Sequence, residues 1–136
     1  MLVAPIDPLR GAEVIALWHK AGLTRPWNDP AADLERALQS TSAAVLGGTE
    51  DGRLLATAVV GHDGHRGWVY YLAVRPDVQH LGLGREMMRA CEEWLRERSV
   101  PKLNVMVRVD NLESAGFYRA IGYAQDEVVV LSRRLD

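Results

Sequence analysis

Apolar residues recur along this chain in two rhythms. Val14, Leu17, Trp18 and Ala21 fall at i, i+3, i+4 and i+7, giving a helix one apolar face. A second helix carries Ala31, Leu34 and Leu38 on one side, and a third, over residues 82–98, has Met87, Cys91, Trp94 and Leu95 as its buried stripe. Strands are predicted at residues 43–47, 53–61 and 68–74, and Leu103, Val105, Val107 and Val109 alternate with Asn104, Met106 and Arg108 as in a half-buried strand. Residues 2–4 can form a first strand closed by Pro5, and residues 128–131, continuing to 135, a last strand or strands.

Punctuation supports these boundaries. Asp7-Pro8 and Asp29-Pro30 each read as a helix cap followed by proline at the first helical position. Gly22 stops the first helix, and Asp51-Gly52 is a hairpin signal between two strands. A turn spans His62-Asp63-Gly64-His65-Arg66-Gly67, and Pro101 ends the long helix segment. Asn111 caps a short helix bearing Ala115, Tyr118 and Ile121, and Gly122 terminates it. The resulting order, β-α-α-β-β-β-α-β-α-β, predicts one mixed α/β domain over residues 1–136.

Composition narrows the partners. A net charge of -2 gives no basic footprint, so a nucleic-acid partner has no electrostatic support. The single cysteine, Cys91, allows no internal disulfide and no thiol zinc site. His62-x-x-His65 lacks a third ligand, so no metal site is expected. No apolar run approaches the ~18–20 residues of a membrane span, and the first residues do not resemble a signal peptide. The expectation is a cytoplasmic protein without membrane contact; an exposed edge strand makes a homodimer plausible.

The chemistry gathers after the strand at residues 68–74. Gln79-His80-Leu81-Gly82-Leu83-Gly84-Arg85 runs straight into the third helix, whose first N–H groups lack carbonyl partners. A Walker loop would need Lys and then Ser or Thr after its second glycine, where Arg85 and Glu86 stand. A dinucleotide fingerprint would need a third glycine at Met87 and a tighter turn from the strand. What remains is a phosphate site of another kind, or a glycine-rich helix start without a ligand.

A second motif, Asn111-x-x-x-Ala115-x-Phe117-Tyr118-x-x-x-Gly122-Tyr123, lies about thirty residues downstream. Together, Gln79-x-x-Gly82-x-Gly84 and this motif resemble the signature pair of the GNAT superfamily of acyl-CoA-dependent N-acyltransferases. The predicted element order agrees across essentially the whole chain. The Arg25-Pro26-Trp27-Asn28-Asp29-Pro30 loop and the Asp63–Gly67 turn further resemble a bacterial subgroup, the YpeA-type acetyltransferases.

The resemblance implies a GNAT-like fold: a central, mostly antiparallel sheet flanked by helices and split beside a bulge in the strand before the phosphate loop. It implies acetyl-CoA as donor and CoA as product. On this chain the Leu72 N–H would meet the acetyl carbonyl, and Leu72, Ala73 and Val74 would line the pantetheine arm. The pyrophosphate would lie on the N–H groups of Leu81, Gly82, Leu83, Gly84 and Arg85, beside Gln79 and His80, with Asn111 also at the cofactor. Tyr118 takes the general-acid position; a phenol with a reference pKa near ~10 stays protonated at neutral pH and can donate to the departing thiolate.

The acceptor, a small-molecule or protein amine, is expected to enter past the loop between the first two helices. Arg25 could pair with a carboxylate, Trp27 could pack an apolar part or a cation, and Asp29 could hold an ammonium, with Asn28 and His65 nearby. The bland alternative is that Asp29 only caps a helix and Trp27 only fills the core. Some relatives place a glutamate base four residues before the acetyl-contacting position, but here that residue is Trp68. Asp29, Asp63, His62, His65 and Tyr70 are the remaining candidates. The rival to an enzyme is a non-catalytic acyl-CoA-binding module.

Overall fold

The computed structural model describes residues 1–136. Its chain divides into two compact units, residues 1–106 and residues 107–136. The first unit holds a five-stranded sheet: β1 (Leu2–Pro5), β2 (Ala43–Glu50), β3 (Arg53–His62), β4 (Gly67–Val74) and β5 (Leu103–Val105). The spatial order is β1-β2-β3-β4-β5, with three antiparallel pairings and a parallel one between β4 and β5. This is the mixed, mostly antiparallel sheet that the resemblance implies.

Local chemistry places the elements. Asp7 accepts a hydrogen bond from the Leu9 N–H and opens a 3-10 turn (Pro8–Arg10) that leads into α1 (Gly11–Lys20). Asp29 caps α2 (Pro30–Gln39), its Oδ1 accepting from the Ala32 N–H at 3.2 Å. The β2–β3 hairpin closes on Asp51 and Gly52, both with positive φ, as a two-residue turn matched to the right-handed strand twist requires.

One side of the sheet carries a core of Ile6, Val14, Leu17, Trp18, Leu34, Val45, Leu54 and Ala73, supplied by α1, α2 and the strands. Ala37 and Leu38 join it, whereas Ala31 is exposed, because α2 turns its Leu34 side inward. The third helix, α3 (Leu83–Arg96), packs on β3 and β4 through Met87, Met88, Cys91 and Leu95. Trp94 lies at the edge of that stripe instead of inside it, with the Arg98 guanidinium 3.7 Å from its ring centroid. Gly67 is what lets α3 approach: an added Cβ would sit 2.5 Å from Leu95.

The second unit contains α4 (Leu112–Ala120), capped by Asn111, whose Oδ1 accepts from the Ser114 N–H at 3.1 Å. Two expectations fail near here. The alternation at Val107 and Val109 does not extend β5, which ends at Val105, and residues 128–135 form no strand. β-branched alternation marks a chain able to pair, but a strand exists only where a ladder partner is present.

Candidate active site

β4 departs from regular geometry where the resemblance expects it to. Its register against β3 steps from Val59↔Tyr70 to Thr57↔Ala73, so Tyr71 and Leu72 together oppose Ala58. This is a β-bulge, and Tyr71 takes a φ of +52°. A bulky side chain in that region carries a strain of about 1–3 kcal/mol unless its surroundings hold it. Here they do. The Tyr71 ring stacks on Trp18 at 3.8 Å between centroids, and its hydroxyl donates to Asp33 Oδ2 at 2.6 Å. Trp18 is itself fixed by its indole N–H, which donates to the buried Thr57 hydroxyl at 3.1 Å. Partial burial and the Asp33 carboxylate both push the Tyr71 phenol well above its ordinary value, so it stays protonated.

On the other edge of β4, the ladder to β5 covers Gly67↔Leu103, Trp68↔Asn104 and Val69↔Val105, and then stops. β4 continues to Val74 past the end of β5. The backbone of Leu72, Ala73 and Val74 therefore has a sheet partner on the β3 side only.

Beyond Val74 the chain makes a 3-10 turn (Pro76–Val78), and the Gln79 side-chain amide donates back to the Val74 carbonyl at 3.3 Å. That bond ties the loop to the strand end. His80 and Gly82 have φ of +65° and +82°, so the loop curls before α3 begins at Leu83. No side chain caps this helix start, and the space beside Gly82 is open. Its first-turn N–H groups stand at the positive end of the helix dipole, a position that favours an anion.

Above the bulge lies an open cavity of about 460 Å³ lined by Leu23, Asn28, Asp33, Arg36, Val59, Tyr70 and Tyr71. The bulge explains why Tyr70 and Tyr71 both reach it, since consecutive residues of a regular strand face opposite ways. A cavity of similar size sits by α1 and the β2–β3 turn, but its charged lining, Arg10, Lys20, Arg53 and Arg75 with Glu13, is mainly cationic, beside Ala16, Leu17, Gly52 and Leu54.

The predicted acceptor residues are dispersed by these facts. Asn28 lines the cavity, but Arg25 donates to the Gly22 and Thr24 carbonyls, both at 2.9 Å, and so braces its own loop. Asp29 is the α2 cap, and Trp27 is half exposed instead of filling the core. Asp63 organises its turn: its carboxylate accepts from the Arg66 and His65 N–H groups and the Trp68 indole. Those bonds hold it down at about 2, a poor starting point for a base. His65 is exposed in that turn, and the His62 ring lies 6.1 Å from Trp94. Tyr70 lines the cavity, but burial raises its phenol. Asp33 and Arg36, the charged pair in the cavity, carry no sequence motif. Only the fold of α2 over Tyr71 reveals them.

In the second unit, Tyr118 lies on α4 with its ring edge-on to Phe117 at 5.0 Å and to Tyr123 at 5.6 Å. Cys91 is fully buried, and burial pushes its thiol up to about 12.

Residues 12–123 match the acetyltransferase (GNAT) family, a span that includes the bulged strand, the glycine loop and the Asn111-to-Tyr123 motif. The chain belongs to this family. It is also 40% identical, over 123 residues, to an acetyltransferase of Yersinia pestis strain Pestoides F, covering 90% of this chain and 87% of that one. An acetyltransferase of Yersinia enterocolitica is equally similar over the same length. Among solved structures, the aminoglycoside N-acetyltransferase AAC(6')-Iy in complex with CoA superposes with a TM-score of 0.84 at 16% identity, covering 99% of this chain and 95% of that one. The ribosomal-protein-alanine N-acetyltransferase of Brucella melitensis biovar Abortus 2308 gives 0.78 at 21% identity, covering 98% and 100%. At these identities the two structures speak for the fold. The GNAT chain described here is thus an N-acetyltransferase by family, and no helix in it is long and apolar enough to cross a membrane.

Proposed function

We propose that this GNAT protein transfers an acetyl group from acetyl-CoA directly to a primary amine of a small molecule or protein. The observation that carries the reading is the parting of β4 from β5 beside the bulge. It leaves Leu72, Ala73 and Val74 without a strand partner on that side, where an extended pantetheine arm can hydrogen-bond like an added strand. The pyrophosphate then takes the seat formed by Leu81, Gly82, Leu83, Gly84 and Arg85, with Gln79 and His80 shaping the loop.

In this scheme the Leu72 N–H donates to the acetyl carbonyl. As the amine attacks, that oxygen gains negative charge, and a donor already in place stabilises it; such donors are worth ~10²–10³ in rate. Tyr118 gives its phenolic proton to the departing CoA sulfur. A covalent acetyl-enzyme is disfavoured by the state of Cys91, which is buried and held as a thiol at neutral pH. Asn111 positions the Tyr118 helix through its cap and borders the cofactor.

Trp68, standing where some relatives carry a glutamate, keeps a second reading in play: an acyl-CoA-binding module without turnover. Release of free CoA thiol from acetyl-CoA, followed across a panel of amines, amino acids and peptides, separates the two. Steady acceptor-dependent release is expected. Tight acetyl-CoA binding with no release for any acceptor would establish the module.

A further inference from the structure

The cavity above the bulge contains a charge arrangement that narrows the acceptor class. Asp33 is its one carboxylate, and its two oxygens have different duties. Oδ2 accepts the Tyr71 hydroxyl at 2.6 Å and is fixed by the stack of Tyr71 on Trp18. Oδ1 pairs with Arg36 one turn along α2. The two partners are unequal: the Asp33 side chain is 25% exposed, the Arg36 side chain 72%. A solvent-exposed i,i+3 pair is weak and exchanges readily, whereas the Tyr71 bond is backed by packing. Asp33 is therefore a fixed carboxylate with one exchangeable partner, on the cavity wall against Tyr71, the residue that precedes Leu72 in the bulge.

We propose that the acceptor is a zwitterion, an α-amino acid with an apolar side chain, that binds by opening the Asp33–Arg36 pair. This rests on the acetyltransfer reading above. The acceptor's ammonium replaces the guanidinium at Asp33 Oδ1, and its carboxylate becomes the new partner of Arg36. Each charge of the protein exchanges one opposite charge for another, so no ion is left unpaired. A simple alkylamine would evict Arg36 without recompense. A simple carboxylate would leave Asp33 facing the cavity alone. Guanidinium and carboxylate also match as a two-pronged pair, which favours a carboxylate over a neutral amide or ester at that position. Leu23, Val59 and the Tyr70 ring supply apolar wall for the side chain. For transfer, the ammonium loses one proton to water, and the neutral nitrogen forms the N–C bond to the acetyl carbon. The C–S bond breaks as Tyr118 gives its proton to CoA sulfur, which leaves as the thiol, and the second proton that the nitrogen sheds in becoming an amide restores the phenol through water.

The test compares leucine, leucine methyl ester and isopentylamine as acceptors, reading CoA thiol release together with acetyl-CoA affinity by titration. In the unaltered protein, loss of the acceptor carboxylate is expected to lower kcat/KM by about tenfold to a hundredfold, mainly through KM. Arg36→Ala, at an exposed position, should lower the leucine value by a similar factor while the ester and amine values rise, since neither then has to displace the guanidinium, and Arg36→Lys should restore part of the leucine value. Asp33→Asn should depress all three acceptors. Equal use of leucine and its ester, or an Arg36→Ala effect shared by all three, would overturn the zwitterion assignment. So would the absence of turnover in a protein that binds acetyl-CoA, which leaves the donor site standing. Failure to bind acetyl-CoA would instead remove the acetyltransfer reading together with this one.

Discussion

Gly82 caps α3 in the left-handed region with open space beside it, so its side chain is absent for conformation and for access alike. Valine there would be strained at φ +82° and would fill the open space beside the proposed pyrophosphate seat. Gly82→Val is expected to weaken acetyl-CoA binding at least tenfold with the fold retained; titration with an unchanged dissociation constant would sever this loop from the cofactor. Tyr118→Phe keeps the ring contacts to Phe117 and Tyr123 but removes the transferable proton. Its expected signature is a kcat lowered by about 10²–10⁴ with acetyl-CoA affinity nearly unaltered. Turnover undiminished while chemistry is rate-limiting would discharge Tyr118 from the acid role. Caps and glycines were legible in the sequence because their reasons are local: Asp29 and Asn111 each satisfy a helix three residues ahead. Asp33 was not, because its meaning depends on a tyrosine 38 residues away.

At the scale of elements, the bulged β4 is held by a relay that joins four of them: Thr57 on β3, Trp18 on α1, Tyr71 on β4 and Asp33 on α2. Thr57 is fully buried and is the acceptor for the Trp18 indole N–H. Thr57→Val keeps the shape but strands that N–H, and unfolding in urea should show a loss of about 1–3 kcal/mol. A loss indistinguishable from zero would mean that the relay does not hold the bulge. Periodicity located α1, α2, α3 and the β2–β3 hairpin because one face of each is buried, leaving a pattern in the chain. It misplaced Trp94 and Ala31, which fall at the margins of those faces, and it overextended β5, since alternation at Val107 and Val109 records a capacity for pairing and not the pairing itself.

At the scale of the molecule, the mixed sheet, the parted strands and the glycine-lined helix start are the features on which the proposed donor site rests, and all of them fall within the family match across residues 12–123. Two motifs about thirty residues apart make the reaction class readable in the sequence itself. The cavity proposed for the acceptor was less readable, because its lining comes from a loop, α2, β3 and β4 with no shared motif. The central claim is direct transfer from acetyl-CoA to an amine, and initial velocities over a matrix of acetyl-CoA and acceptor concentrations test it most directly. Lines that intersect in the double-reciprocal plot, with no acetylated protein by intact mass after incubation with acetyl-CoA alone, are the predicted result. Parallel lines with an acetyl group retained on the protein would contradict it.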